Sequence, residues 1–307
     1  MPGSGSALSF VRGPLGDCAS SWGITVIKDV TVHLDGTSAD EERLLHAEAI
    51  ASASRAHLTG LFTNPLPDLA AITPMDGGAS AAGIMVQLQD DARRQGDLSQ
   101  QRLAERFSRL SVPSEIRRLE GMPGQLLRLA ASEARWSDIF VASRPFDGGS
   151  DEAWSDLFGS VLFESGRGVY VVPPGRRPSD AIRRVLVCWR DTREAARAVA
   201  EAAPFIEKAA RTVVLIVDPE SSSDNGPGAP GADIARHLDR IGTSVEVQVV
   251  AGEGRDISDV ILEQARRLSA DLIVMGAYGH SRLREWIAGG ATRNMLSTSD
   301  VPILMAH

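Results

Sequence analysis

One unit of alternating strand and helix is written twice in this chain, and a repeat of that kind leaves few folds open. In the second copy the apolar run 185–189 reads as a buried strand. Thr192 follows as a helix cap, then Ala195, Val199, Ala202 and Ile206 at helical spacing. Pro204 is expected to kink or shorten that helix. Residues 213–217 form the next strand, 220–231 a loop rich in Ser, Pro and Gly, 232–241 a short helix and 245–250 a third strand. Ile257, Val260, Ile261, Ala265 and Leu268 mark one helix face, 272–275 is a fourth strand and 301–305 a fifth, which Pro302 suits to an edge position.

The first copy repeats the plan. Its strands fall at 30–34, 58–63, 114–119, 139–142 and 169–172, and Leu45, Ala49, Ile50 and Ala53 mark its first helix. A Pro/Gly-rich stretch at 64–83 leads into a long polar helix ending near Leu110, and 125–135 is helical. The phrase Pro173-Pro174-Gly175-Arg176-Arg177-Pro178 cannot continue a strand or a helix. The chain of 307 residues therefore divides into a disordered leader at 1–25, one domain at 26–173, a linker at 174–180 and a second domain at 181–307. Strands alternating with helices imply right-handed crossovers and a parallel sheet covered on both faces. Ligands of such sheets sit beyond the carboxyl ends of the strands where the strand order reverses, here after the first and fourth strands of each copy.

Composition narrows the partners. Hydrophobic residues make up 43% of the chain and aromatics only 5%, so the core is aliphatic and rich in alanine. A formal net charge of -8 with no Lys/Arg block gives no general attraction to nucleic acid or anionic lipid. No apolar run approaches a membrane span, and the first residues lack the basic start and apolar core of a signal peptide, so a cytoplasmic protein is expected. Two cysteines, Cys18 and Cys188, form no CxxC pair and fit a reducing compartment. No two of the six histidines have the i, i+4 spacing of a helical metal site.

After the fourth strand of the second copy stands Gly276-Ala277-Tyr278-Gly279, and nine residues beyond Gly279 stand Gly289-Gly290-Ala291-Thr292. Gly276 and Gly279 allow a sharp turn and close approach to a ligand, and Gly289 to Thr292 lie where the next helix begins, with free N–H groups suited to phosphate. This spacing resembles the G-x2-G-x9-G-(S/T) signature of universal stress proteins, and residues 276–286 resemble that family's phrase almost letter for letter. The resemblance implies two tandem five-stranded α/β sandwiches of strand order 3-2-1-4-5, of the adenine nucleotide alpha hydrolase-like type. It implies ATP or AMP as ligand, with Mg²⁺ beside ATP, held by an aspartate after the first strand and by the glycine segment. The family pairs domains through the fifth strand, so 169–172 and 301–305 are candidate edges that pair with each other within one chain; a homodimer and an unknown protein partner stay open.

The copies depart from the signature in complementary ways. In the second, Arg190-Asp191-Thr192 stands where ATP-binding members have Asp-Gly-Ser, and Gly290 stands where a Ser or Thr follows the third glycine; Thr292 supplies the nearest hydroxyl. Arg190 is suited either to a base or phosphate or to a surface pair with Asp191 or Glu194. In the first, Asp35-Gly36-Thr37 resembles Asp-Gly-Ser, and Gly149 followed after nine residues by Gly159-Ser160 resembles the second half of the signature, while Ser143 stands in place of the leading glycine. Asp-Gly-Thr is equally a common turn and cap. Walker A and GxGxxG are absent, and no catalytic base or metal set converges on either crevice, so an enzyme is not expected. Two readings remain: a stress-response regulatory protein that binds adenine nucleotide, and a nucleotide-free scaffold joined through edge strands.

Overall fold

The fold comes from a computed structural model that describes residues 26–68, 79–146, 152–219, 230–277 and 290–307. The leader at 1–25, most of the loop at 220–231, and Gly149, Gly279 and Gly289 lie outside the described residues. In chain order the elements are β1 (Asp29–Leu34), α1 (Ala39–Ser54), β2 (His57–Pro65), α2 (Ala79–Phe107), β3 (Ser114–Gly121), α3 (Pro123–Ala134), β4 (Ile139–Ser143), α4 (Glu152–Glu164) and β5 (Gly168–Val172). After residues 173–183, which carry no helix or strand, come β6 (Arg184–Cys188), α5 (Arg193–Lys208), β7 (Arg211–Val217), α6 (Ala232–Ile241), β8 (Val245–Val250), α7 (Ile257–Leu268), β9 (Leu272–Gly276), α8 (Gly290–Thr298) and β10 (Ile303–Ala306).

Each half has the parallel order 3-2-1-4-5, and the halves share one ten-stranded sheet, β3-β2-β1-β4-β5-β10-β9-β6-β7-β8. The seam is antiparallel: Ile303 lies opposite Val171, Leu304 opposite Tyr170 and Met305 opposite Val169. Successive strand residues point to opposite faces, so the sheet carries two apolar layers, and both run through the two halves. One joins Val30, Val32, Tyr170 and Leu304 to α1, α2, α5 and α6. The other joins Phe140, Val169, Ile303 and Met305 to α3, α4, α7 and α8. Helix α5 of the second half reaches across the seam, where Glu201 Oε2 accepts from Gly168 N at 3.2 Å and Arg197 Nη2 donates to the Gly166 carbonyl at 2.5 Å.

Three local expectations change. Pro302 lies just outside β10, and its carbonyl accepts from Ile273 N at 3.0 Å. β10 is an interior strand between β9 and β5, so the missing N–H falls before the ladder begins. Pro204 does not shorten its helix; α5 runs on to Lys208 because Phe205 and Ile206 are buried beyond it, and packing of the last turn outweighs one lost bond. Of Leu45, Ala49, Ile50 and Ala53, which mark α1 in the sequence, only Ile50 is buried; the inner face is Asp40, Arg43, Leu44, Ala47, Ile50 and Ala51, with His46 buried beside them. Among the described residues no helix is long and apolar enough to cross a membrane.

Leu304 is fully buried at the seam. Leu304→Ala is expected to lower the unfolding free energy by about 2–5 kcal/mol and to destabilise both halves together. Urea unfolding followed separately by circular dichroism and by tryptophan fluorescence checks both points.

Candidate functional site

In the first half β1 and β4 are neighbours at the reversal of strand order, and Asp35-Gly36-Thr37 follows β1 as anticipated. The aspartate is committed inside the chain. Asp35 Oδ1 accepts from Thr37 N at 3.0 Å, Thr37 Oγ1 at 2.6 Å and Arg43 Nη2 at 2.8 Å. Asp40, at the start of α1, accepts from Asp35 N at 3.0 Å and Gly36 N at 2.9 Å, and Arg43 bridges the two carboxylates with its side chain only 2% exposed.

A guanidinium can only donate, so Arg43 Nη1, 3.2 Å from His33 Nδ1, fixes that nitrogen as an acceptor and the ring proton on Nε2. Nε2 then donates to Thr63 Oγ1 at 2.9 Å, and the Thr63 hydroxyl donates to the Leu34 carbonyl at 3.4 Å. Burial, reinforced by the Arg43 charge, pushes the His33 pKa down to about 3. Against the desolvation that burial imposes, Arg43, with His33 and Thr37, holds Asp35 well below the usual carboxylate range. Burial raises Asp40 to about 6, offset only in part by Arg43, with the Asp35 charge adding to the rise. Two carboxylates share one cation, and the cost of charging falls on the second.

The chain also covers this network. Trp154 of α4 stacks on His33 with ring centroids 4.4 Å apart and planes 14° from parallel, and its Nε1 donates to the Arg144 carbonyl at 3.2 Å. Gly36, at φ +80°, lies beneath α2, where a Cβ would come within 2.9 Å of Ser99 Oγ. The Gly159-Ser160 pair does not stand at a helix start. It lies roughly two turns into α4 with both residues buried, and Ser160 Oγ donates to the Leu127 carbonyl of α3 at 3.1 Å. That hydroxyl packs helix on helix rather than facing a phosphate. His33, Asp40, Arg43 and Trp154 were not anticipated from the sequence. The available signal was the i, i+3 pair Asp40/Arg43 on the same stripe as Leu44, Ala47 and Ile50, a stripe that emerges only if charged residues are admitted to an inner face.

The second half is built differently at the same place. Cys188 of β6 lies opposite Met275 of β9, so Arg190 and Gly276 leave adjacent strands at one end of the sheet. Gly276 is required there by close approach, since a Cβ would fall 2.6 Å from Ala195 N and 2.7 Å from the Glu194 carbonyl carbon. The first turn of α5 thus rests on the glycine, capped by Thr192 Oγ1, which accepts from Ala195 N at 3.3 Å. On its inward stripe α5 presents Ala195 and Ala198 where α1 presents Asp40 and Arg43. Arg190 is exposed, and Glu194 pairs with Arg193, not with Arg190. Helix α8 begins at Gly290 with Thr292 half-buried in its first turn, and among the described residues no atom lies within 4 Å of a Cβ placed on Gly290. Asn294 Nδ2 ties α8 to the α7 cap, donating to Asp256 Oδ2 at 3.1 Å. The far end of α8 meets the first half, where Arg144 Nη1 donates to the Ser297 carbonyl and Arg293 lies 5.1 Å above the Phe146 ring. Burial pushes the Cys188 thiol up to about 12, leaving it inert. Among the described residues no cluster of three or more His, Cys, Asp or Glu side chains is placed to hold a metal.

Residues 181–307 match the universal stress protein family. That match runs the whole length of the second half. A 67-residue segment is 31% identical to the universal stress protein Slr1230 of Synechocystis sp., covering 22% of this chain and 22% of that protein. A 50-residue segment is 38% identical to the stress response protein NhaX of Bacillus subtilis, covering 16% of this chain and 30% of that protein. The chain therefore spans less than a third of the curated relatives it matches. The tandem fold itself is similar to a universal stress protein from Archaeoglobus fulgidus, with a TM-score of 0.67 at 17% identity over 91% of this chain and 95% of the other. It is also similar to the functionally unknown protein PA1789 from Pseudomonas aeruginosa, with a TM-score of 0.53 at 15% identity over 91% and 92%.

Two predictions test the geometry of the paired crevices. Gly276→Ala in the second half forces backbone apart and is expected to cost about 1–3 kcal/mol in thermal or urea unfolding. His33 has a depressed folded pKa, so the stability it confers is present above its unfolded value of 6.5 and is lost as pH falls toward about 3. Between pH 7.5 and pH 5 that loss is about 2 kcal/mol, and His33→Gln is expected to flatten the acid side of the stability profile by about that amount, read from urea midpoints at the two pH values.

Proposed function

We propose that this chain is a tandem stress-response regulatory protein, not an enzyme, in which the second half offers one adenine-nucleotide crevice and the first half none. The observation that carries this reading is the contrast at the reversal points. In the first half Asp35 is held by Arg43 and Thr37, and Trp154 covers His33. In the second half Ala195 and Ala198 take the places of Asp40 and Arg43, the buried Glu194 is paired with Arg193, and Gly276 and Gly290 stand at the strand end and the helix start. A helix N-terminus favours phosphate through free N–H groups and the dipole. Gly290 and Thr292 fit ATP or AMP on the phosphate side, with Mg²⁺ accompanying ATP; the chain supplies its own N–H and hydroxyl donors there. On the base side Arg190 replaces a carboxylate acceptor, and a guanidinium is suited to stacking on a purine.

Calorimetric titration of the full chain with ATP, with and without Mg²⁺, is expected to give one site per chain. Gly290→Glu places a carboxylate where the helix tolerates it and a phosphate does not, and is expected to weaken binding at least about tenfold, while Asp35→Asn leaves the affinity unchanged. Two sites per chain would reopen the first crevice. No binding in wild type would favour the scaffold reading, in which the strand-paired halves carry the function.

A further inference from the structure

We propose that a cavity at the seam between the halves, away from both crevices, is a binding site for a small carboxylate carried on an apolar body. The cavity measures about 130 Å³ and lies where α1 and α5 flank the β5–β10 seam under the connecting segment. A single water needs roughly 10–15 Å³ of such space, so there is room for several heavy atoms. Its floor is apolar, formed by Ile50, Tyr170, Phe205 and Pro302. Three cations from two elements line it: Arg176 and Arg177 from the connection, and Lys208 from the end of α5.

Among the described residues none of these three is held in an ion pair, and Lys208 Nζ makes a single long contact to the Ala53 carbonyl at 3.5 Å. Two carboxylates also line the space. Asp271 is already committed, its Oδ2 accepting from Arg183 N at 3.0 Å and Arg184 N at 2.9 Å, and Asp180 lies exposed. The walls are tied in place. His46 Nε2 donates to the Arg176 carbonyl at 2.8 Å, which directs Nδ1 to accept from the Tyr170 hydroxyl at 3.3 Å, and Glu42 Oε1 accepts from Gly175 N at 3.0 Å. An apolar floor beneath uncommitted cations selects an amphiphilic anion over a nucleotide or a bare phosphate, because burial and charge each contribute only if the ligand carries both.

Octanoate is the probe, with octylammonium as the control of the same apolar body and opposite charge. Calorimetry on the full chain at low salt is expected to show saturable 1:1 binding of octanoate and none of octylammonium. Ala49→Phe, which fills the cavity from α1, is expected to abolish binding. The surface double variant Arg177→Gln/Lys208→Gln, which leaves the core untouched, is expected to weaken it about tenfold or more. Absence of saturable binding to wild type, equal binding of the two probes, or unchanged affinity in the double variant each overturns the proposal. A titration with ATP has no bearing on the outcome.

Discussion

The antiparallel pairing of β5 with β10 is the constraint on which the rest of the structure depends. Each half by itself ends in an apolar strand with an open edge, and an unpaired edge of that kind recruits other chains. Facing the two edges closes both and makes one sheet of ten strands. It also merges four apolar half-layers into two, one on each face. Because the seam is antiparallel, the strands of the two halves point in opposite directions and their crevices open at opposite ends of the sheet. Helix α8 runs between those ends. It begins at Gly290 on the glycine side of the second half and ends at Thr298, and the Ser297 carbonyl in its last turn receives Arg144 from the segment just after β4.

The halves share a backbone plan and differ in what occupies the reversal point. Where α5 turns alanines inward, α1 turns an aspartate and an arginine inward. A charge placed there must find partners within the protein, and His33, Asp35, Asp40 and Arg43 form a nearly closed set that also ties down the turn after β1. Trp154 and the overlying α2 complete it. The result is a crevice filled by the chain's own side chains beside a second crevice that is shaped by glycine. The first half is joined to the second through the seam and through α8.

Much of this was legible in the amino-acid order. The period-2 and period-3.6 patterns located nearly every strand and helix, because a parallel sheet buried on both faces reads as short aliphatic runs between alanine-rich amphipathic segments. The spacing of Gly276 from the later glycines carried the resemblance to universal stress proteins, whose family matches residues 181–307. The structure adds a reason for Gly276 itself: the first turn of α5 lies within 2.6 Å of where its side chain would begin. What was not legible was any feature created by contact between distant segments. Gly159-Ser160 matched a spacing but fell in mid-helix, because α4 already begins at Glu152. The polar inner face of α1 was hidden because hydrophobic periodicity discounts charged residues, and only His33, Asp35 and Trp154 from elsewhere in the chain make such a face affordable.

The sequence by itself determined the duplication, the succession of strands and helices within each copy, and the complementary loss of signature residues, since these depend on local pattern and on residue types at fixed spacing; the strand order came from the family resemblance. Tertiary structure alone decided that Asp35 faces Arg43 instead of a ligand, that Pro302 stands outside an interior strand, and that a cavity lies between the halves. Each of those depends on which side chains the folded backbone turns toward one another, from eight residues apart for Asp35 and Arg43 to opposite halves of the chain at the cavity, and no hydrophobic pattern encodes which groups meet there.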